Sequence, residues 1–175
     1  VDKLTKGLGQ LTQARQINYL RGRASFLDRN TLKVIGADGR RGTVSFDSAI
    51  LATGSEPAVI PSLMIDSPRV IDSTGALELE DVPKKLLVVG GGYIGLELST
   101  VYAALGSKVH VVEMLPGLLP GADRDLVKVL ARRLENDFDE IMLETKVTSL
   151  EETDKGIKAK FDGKNAPAKA VTYDK

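Results

Sequence analysis

Residues 86–113, LLVVGGGYIGLELSTVYAALGSKVHVVE, constrain the fold of this chain more than any other stretch. Residues 86–89 form an unbroken apolar run, the mark of a strand buried on both faces. Residues 94–105 carry helical apolar spacing, and Gly106 is placed to stop that helix as a C-cap. Residues 109–112 are a second apolar strand. A strand, a helix and a second strand in this order predict a parallel βαβ unit.

The turn between the first strand and the helix, Gly90-Gly91-Gly92-Tyr93-Ile94-Gly95, fits GxGxxG. Each glycine has a physical task there. Gly90 permits the tight turn, Gly92 removes a Cβ so that a pyrophosphate can lie on the backbone, and Gly95 lets helix and strand approach closely. The helix N-terminus adds unpaired N–H groups and partial positive charge. The alternative is a crowded turn with no ligand. Glu113 argues against that, because it closes the second strand 18 positions after Gly95, near the spacing of about 20 expected for a ribose-binding acid. A carboxylate there accepts hydrogen bonds from a ribose diol and repels a 2′-phosphate, so NAD(H) is expected over NADP(H).

Around this unit the period changes. Residues 2–16 place Leu4, Leu8 and Leu11 at helical spacing, weakened by Gly7 and Gly9. Residues 17–20, 24–27, 31–35 and 42–46 are short β-rich runs, separated by turns at 28–30 and at Ala37-Asp38-Gly39. They predict an antiparallel meander. Residues 48–51 read as a further strand ending in Ala52-Thr53-Gly54-Ser55, a small-residue turn where backbone can approach a ligand. Pro57, Pro61 and Pro68 mark a connector. Residues 73–77 suggest a capped helical turn with Ser73 or Thr74 as N-cap. A helix over 122–133 is predicted with Leu126, Val129, Leu130 and Leu134 on one face. Residues 141–143 then suggest a third parallel strand, and 146–150, 157–161 and 168–173 a second meander.

Composition limits the function. Lys+Arg and Asp+Glu both number 24, so the net charge is zero, and nucleic acid or an anionic membrane surface is not expected as a partner. With 42% apolar and 27% charged residues the chain is globular. Cysteine is absent and His110 is the only histidine, which excludes thiol redox steps, thiolate metal sites and histidine-rich metal sites within these residues. No apolar run is long enough to span a bilayer, and the start VDKLTKGLGQ has no secretory core. The expectation is a cytoplasmic location. His110, on an apolar strand, reads as structural, and the Lys84-Lys85 and Arg132-Arg133 pairs as solvated faces.

The stretches VPKKLLVVGGGYIGLELSTVYAALGSKVHVVE, ILATGSEP and MLPGLLPGADRDLVKVL together resemble the pyridine nucleotide–disulfide oxidoreductases. Within that family they are most similar to the bacterial dihydrolipoamide dehydrogenase branch, and the likeness runs over essentially all 175 residues. It implies an α/β fold: a Rossmann-like dinucleotide-binding domain, βαβ plus antiparallel meander, joined to part of an FAD domain that carries its own antiparallel meander. It places the end of the FAD domain at 1–60, a connector at 61–83 and the NAD domain at 84–175, without that domain's last strand. An unpaired strand edge and self-association would follow. The family's redox cysteine pair and its C-terminal interface domain have no counterpart here.

For site residues, the resemblance implies that Gly90, Gly91, Gly92, Tyr93, Ile94 and Gly95 form the NAD pyrophosphate loop, with Glu113 on the ribose. Glu97, two residues into the helix, would lie near nicotinamide and flavin, or else act as a solvated partner of the helix dipole. Tyr93 would cover the nicotinamide pocket, or simply pack. Val147 would line the adenine pocket, or be an ordinary strand valine. Thr53, Gly54 and Ser55 would touch FAD, as would the backbone of Gly22. The implied cofactors are FAD and NAD. The implied partner is dihydrolipoamide carried on a lipoyl domain of a 2-oxo acid dehydrogenase or glycine cleavage complex, and the implied assembly is a homodimer. Mercuric reductase, glutathione reductase and NADH oxidase are sister readings, and a free-standing NAD-sensing module is the reading from another class. The flavin-side meander and ATGS turn favour the flavoenzyme, since a sensor needs neither.

Overall fold

The computed structural model describes residues 2–175, in two compact units that divide between Gly54 and Ser55. The first unit holds helix α1 (Asp2–Ala14) and an antiparallel sheet of β1 (Gly22–Asp28), β2 (Thr31–Gly36) and β3 (Arg41–Ser45), in the order β1-β2-β3. Its turns follow the sequence chemistry. The Asp28 carboxylate accepts from the Asn30 N–H at 2.8 Å, and Gly39 takes the positive φ (77°) that the second turn needs. The runs at 17–20 and 48–51 are not strands. Ile50 is 96% exposed and Leu51 69%. An apolar run becomes a strand only when a neighbour supplies the ladder hydrogen bonds, and neither run has one here.

The second unit opens with a one-turn 3-10 helix (Pro61–Leu63) and α2 (Ser73–Glu78). The N-cap of α2 is Asp72, not Ser73 or Thr74: its carboxylate accepts from the Gly75 N–H at 2.9 Å. A parallel sheet follows, β4 (Lys85–Val89), β5 (Lys108–Val112) and β6 (Glu140–Met142), in the order β4-β5-β6. Helix α3 (Tyr93–Ala104) links the first pair and α4 (Arg124–Asp137) the second. Gly106 ends α3 as expected. With φ 106° it donates to the Ala103 carbonyl while Ser107 donates to Tyr102, a Schellman closure.

Two expectations about burial need correction. The central strand β5 is buried throughout residues 109–112, but β4 is an edge strand on which only Leu86 is fully covered and Val89 is 43% exposed. Among the described residues, the free side of β4 makes backbone hydrogen bonds only in its first half, from Asp174 N–H to Lys85 and from Leu87 N–H to Lys175. Helix α4 begins at Arg124 rather than Ala122, and it buries Val127 and Leu134 with Leu130 and Ala131 half-buried. Leu126 (68%) and Val129 (71%) face solvent. Spacing fixed the period but could not choose between two overlapping apolar stripes. Among the described residues no helix is long and apolar enough to cross a membrane.

A second antiparallel sheet, β7 (Thr145–Thr153), β8 (Gly156–Gly163) and β9 (Val171–Tyr173), completes the unit. His110 joins it to the parallel sheet. His110 is 5% exposed, with Nε2 2.9 Å from the Asp139 carboxylate, Nδ1 3.0 Å from that of Glu140, and the Tyr173 hydroxyl 3.3 Å from Nδ1. Burial, reinforced by the Glu140 carboxylate, pushes the Tyr173 hydroxyl far above the ordinary tyrosine range. The unfolded chain loses this proton from roughly pH 10 upward, while the folded chain keeps it. The unfolded state then binds fewer protons, so stability is complete below about pH 10 and declines as pH rises beyond it. Melting temperature followed from pH 8 to 11 should fall at the alkaline end, and Tyr173→Phe should flatten that fall. An unchanged alkaline slope in the variant would contradict this assignment.

Candidate functional site

The glycine loop and Glu113 come together at the C-terminal end of the parallel sheet. Gly90 sits at φ 112° and donates to the Val112 carbonyl at 2.8 Å, tying the start of the loop to β5. Gly92 is the N-cap of α3, and no side chain caps the helix there; the first intrahelical bond runs from the Leu96 N–H to the Gly92 carbonyl. The N–H groups of the first turn are therefore left for a ligand. A Cβ built on Gly92 would meet nothing within 4 Å, so the backbone is bare on its open side. At Gly95 the reverse holds: a Cβ would run into the Gly90 carbonyl oxygen and sit 3.3 Å from the Val88 side chain. One glycine clears a surface and the other permits contact between helix and strand.

Glu113 is half-buried and held by the backbone on several sides. Its N–H donates to Met142 at 2.9 Å, its carbonyl accepts from Thr145 at 3.0 Å, and its carboxylate accepts from the N–H groups of Gly91 and Leu115, both at 2.8 Å. The carboxylate thus lies against the loop itself, in position to serve a diol bound beside it. A shallow groove of about 190 Å³ lies between Met114, Glu144, Thr145, Lys146, Asp162 and Gly163, directly beyond Glu113. Val147 is the next residue on that side of β7; it is half-buried, pairs with Phe161, and stands at a register shift in the ladder.

The other expected residues are placed as follows. Tyr93 (68% exposed) and Ile94 (46%) are the first two residues of α3. Glu97 is exposed but is the fifth residue of that helix, in its second turn. It is not two residues in, because α3 begins earlier than its apolar spacing suggested. Gly22 belongs to β1, opposite Gly36, where a Cβ would strike the Ile35 carbonyl; strand packing alone accounts for a glycine there. Thr53, Gly54 (φ 80°) and Ser55 are exposed and outside any strand. What sequence reasoning missed is the 115–124 segment, which seats Leu118 on Gly91 and gives Leu115 to the Glu113 carboxylate. The Pro-Gly-rich run PGLLPG was the available signal.

The pyridine nucleotide-disulphide oxidoreductase profile matches residues 1–173. This chain belongs to that family. A dihydrolipoyl dehydrogenase of Vibrio cholerae is 48% identical over 174 residues, which cover 99% of this chain and 36% of that protein. One from Haemophilus influenzae is 49% identical over 164 residues, covering 94% and 34%. The chain thus spans about a third of the length of the curated relatives it matches. Among solved structures, the HOCl-induced flavoprotein disulfide reductase RclA of Escherichia coli superposes with a TM-score of 0.74 at 28% identity, over 97% of this chain and 37% of that one. A water-forming NADH oxidase from Lactobacillus brevis, bound to NADH, shares the fold with a TM-score of 0.64 at 24% identity, over 87% and 35%. The oxidoreductase family thus accounts for the parallel sheet and both meanders in one architecture.

Proposed function

We propose that this chain is the NAD(H)-binding portion of a dihydrolipoamide dehydrogenase, a flavoenzyme that oxidises dihydrolipoamide and passes the electrons through a disulfide and FAD to NAD⁺. The observation that carries the binding role is the Glu113 carboxylate, hydrogen-bonded to the Gly91 N–H at 2.8 Å beside a bare Gly92 and an uncapped α3. The residues fit a dinucleotide. Gly90 and Gly91 spend their N–H groups on Val112 and Glu113, which fixes the loop, while Gly92 and the first turn of α3 offer N–H groups to a diphosphate and Glu113 accepts from the adenosine diol. The groove past Met114, bordered by the β7 segment that carries Val147, has room for part of an adenine. Tyr93, Ile94 and Glu97 project from the face of α3 that would meet nicotinamide. When bound, NAD⁺ supplies the hydride acceptor; the chain's own part is to hold and orient it.

On the same reading, Thr53, Gly54, Ser55 and the Gly22 backbone belong to the FAD side. The intact protein would act as a cytoplasmic homodimer on lipoyl domains of a 2-oxo acid dehydrogenase or glycine cleavage complex. With no cysteine, these 175 residues cannot perform the thiol–disulfide exchange that feeds electrons to flavin. Binding without turnover is expected of them.

NADH fluorescence titration tests the reading. Saturable binding is expected, with NADPH weaker because Glu113 faces the 2′-phosphate. Glu113→Ala should weaken NADH by about 10- to 100-fold, the equivalent of one lost hydrogen bond to a charged group, and should narrow the NADH/NADPH difference. Unchanged affinity in Glu113→Ala, or NADH production from dihydrolipoamide by these residues alone, would overturn it.

A further inference from the structure

We propose that Arg124, which no part of the glycine motif includes, is a positioning residue for the dinucleotide loop; the inference rests on the binding role argued above. Arg124 is the first residue of α4, the end of a helix where a cation is electrostatically disfavoured. It is held there by backbone carbonyls. Nη1 donates to Leu118 at 2.9 Å, Nη2 to Leu119 at 2.5 Å and to Ala122 at 2.9 Å, and Nε to Ala122 at 3.0 Å. Three carbonyls of one loop thus close around a planar fork of donors, a geometry that lysine cannot reproduce.

The loop that Arg124 gathers is the one that touches the site. The Leu119 N–H donates to the Gly91 carbonyl at 2.9 Å. Leu118, 3% exposed, packs so closely on Gly91 that a Cβ there would lie 2.7 Å from its Cδ2. Gly91 in turn gives its N–H to Glu113. The same segment also supplies the Leu115 N–H to the other Glu113 oxygen.

Leu119 bears the strain of this arrangement. It adopts φ 50°, a left-handed conformation that a leucine avoids unless its surroundings fix it. Three bonds fix it: its N–H to the Gly91 carbonyl, and its carbonyl to Arg124 and to the Ala122 N–H at 3.1 Å. Gly117 makes room for the clamp, since a Cβ there would sit 2.7 Å from Arg124 Nη1. Through Nη1 the guanidinium holds the carbonyl of the Leu118–Leu119 peptide, and the N–H of that same peptide holds the carbonyl of the Gly91–Gly92 peptide, next to the Gly91 N–H that binds the Glu113 carboxylate.

The test uses the 175-residue chain with Arg124→Ala and Arg124→Lys. NADH affinity is read by fluorescence, and amide hydrogen exchange is read at Gly91, Leu119 and, as a remote control, residues 157–159 of β8. Arg124→Ala should raise exchange at Leu119 and Gly91 at least tenfold, leave β8 unchanged, and weaken NADH about tenfold. Arg124→Lys should recover stability but only part of the affinity and protection. Unchanged protection at Leu119 and Gly91, or full recovery by lysine, overturns the proposal. If Arg124→Ala does not fold, Arg124→Lys alone decides it by the same criterion. Should the unaltered chain fail to bind NADH, the binding role falls, and the exchange measurements still decide whether Arg124 orients the loop.

Discussion

Gly95→Val is expected to remove measurable NADH binding, a loss on the order of 100-fold or more. The cause is steric and local. Even the first carbon of the new side chain would run into the Gly90 carbonyl, with Val88 of β4 at 3.3 Å closing the other side. Gly90 cannot simply move. Its φ of 112° and its hydrogen bond to Val112 anchor the loop to β5. Either α3 lifts from β4 or the Gly90 peptide turns, and both outcomes displace the N–H groups that, on the proposed function, would face the diphosphate. Gly95→Ala brings one carbon rather than three, so its loss should be smaller. Fluorescence titration with NADH, alongside a thermal melt to confirm folding, reads the difference. Valine binding as tightly as the original chain would show that close helix–strand contact is not what the glycine provides.

Gly156→Ala should cost the second unit about 2–6 kcal/mol, summing backbone strain of roughly 1–3 and overpacking of roughly 1–3 kcal/mol. Gly156 opens β8 at φ 130°, a region that side chains other than glycine's scarcely enter. An added Cβ would also strike the Tyr173 carbonyl of β9. Both strands of the β8–β9 pair meet at this point, so neither can yield without breaking the ladder between Ile157 and Tyr173. For a unit of this size, at roughly 3–4 °C per kcal/mol, the melting temperature should drop by about 6–24 °C, against a total stability of roughly 5–15 kcal/mol. Thermal melts decide it, and a shift of only a degree or two would mean that the β8–β9 junction relaxes freely. NADH binding in any folded fraction should persist, because Gly156 lies in the meander and not in the loop at Gly90.

The two glycine predictions differ in how far the sequence alone could have made them. Gly95 was legible, because its distance from Gly90 and the helical pattern behind it already required close contact between helix and strand. Gly156 was not, because its neighbour in space is Tyr173 and nothing in the local run announces that approach. The same contrast recurs elsewhere. Glu113 could be picked out by its place at a strand end, whereas nothing in the local sequence marks Arg124. Asp72 took the cap expected of Ser73 or Thr74, since the choice depended on where the preceding chain was directed. In α4, Val127 rather than Leu126 and Val129 turned inward, because the sheet beneath selected one of two apolar stripes.

By itself, then, the sequence determined the βαβ unit and the helix after it, the two antiparallel meanders, the glycine floor with its acid, the turns at Asp28 and Gly39, and the lack of a thiol in these residues. These are properties of neighbouring residues: periodicity, conformational freedom and composition act over a few positions along the chain. The tertiary structure decided which runs found a partner to become strands, which face of α4 was covered, and how Arg124, Leu119 and Gly91 came to share hydrogen bonds. Those outcomes depend on groups far apart in sequence competing for the same carbonyls and the same buried area, and only the folded arrangement settles that competition.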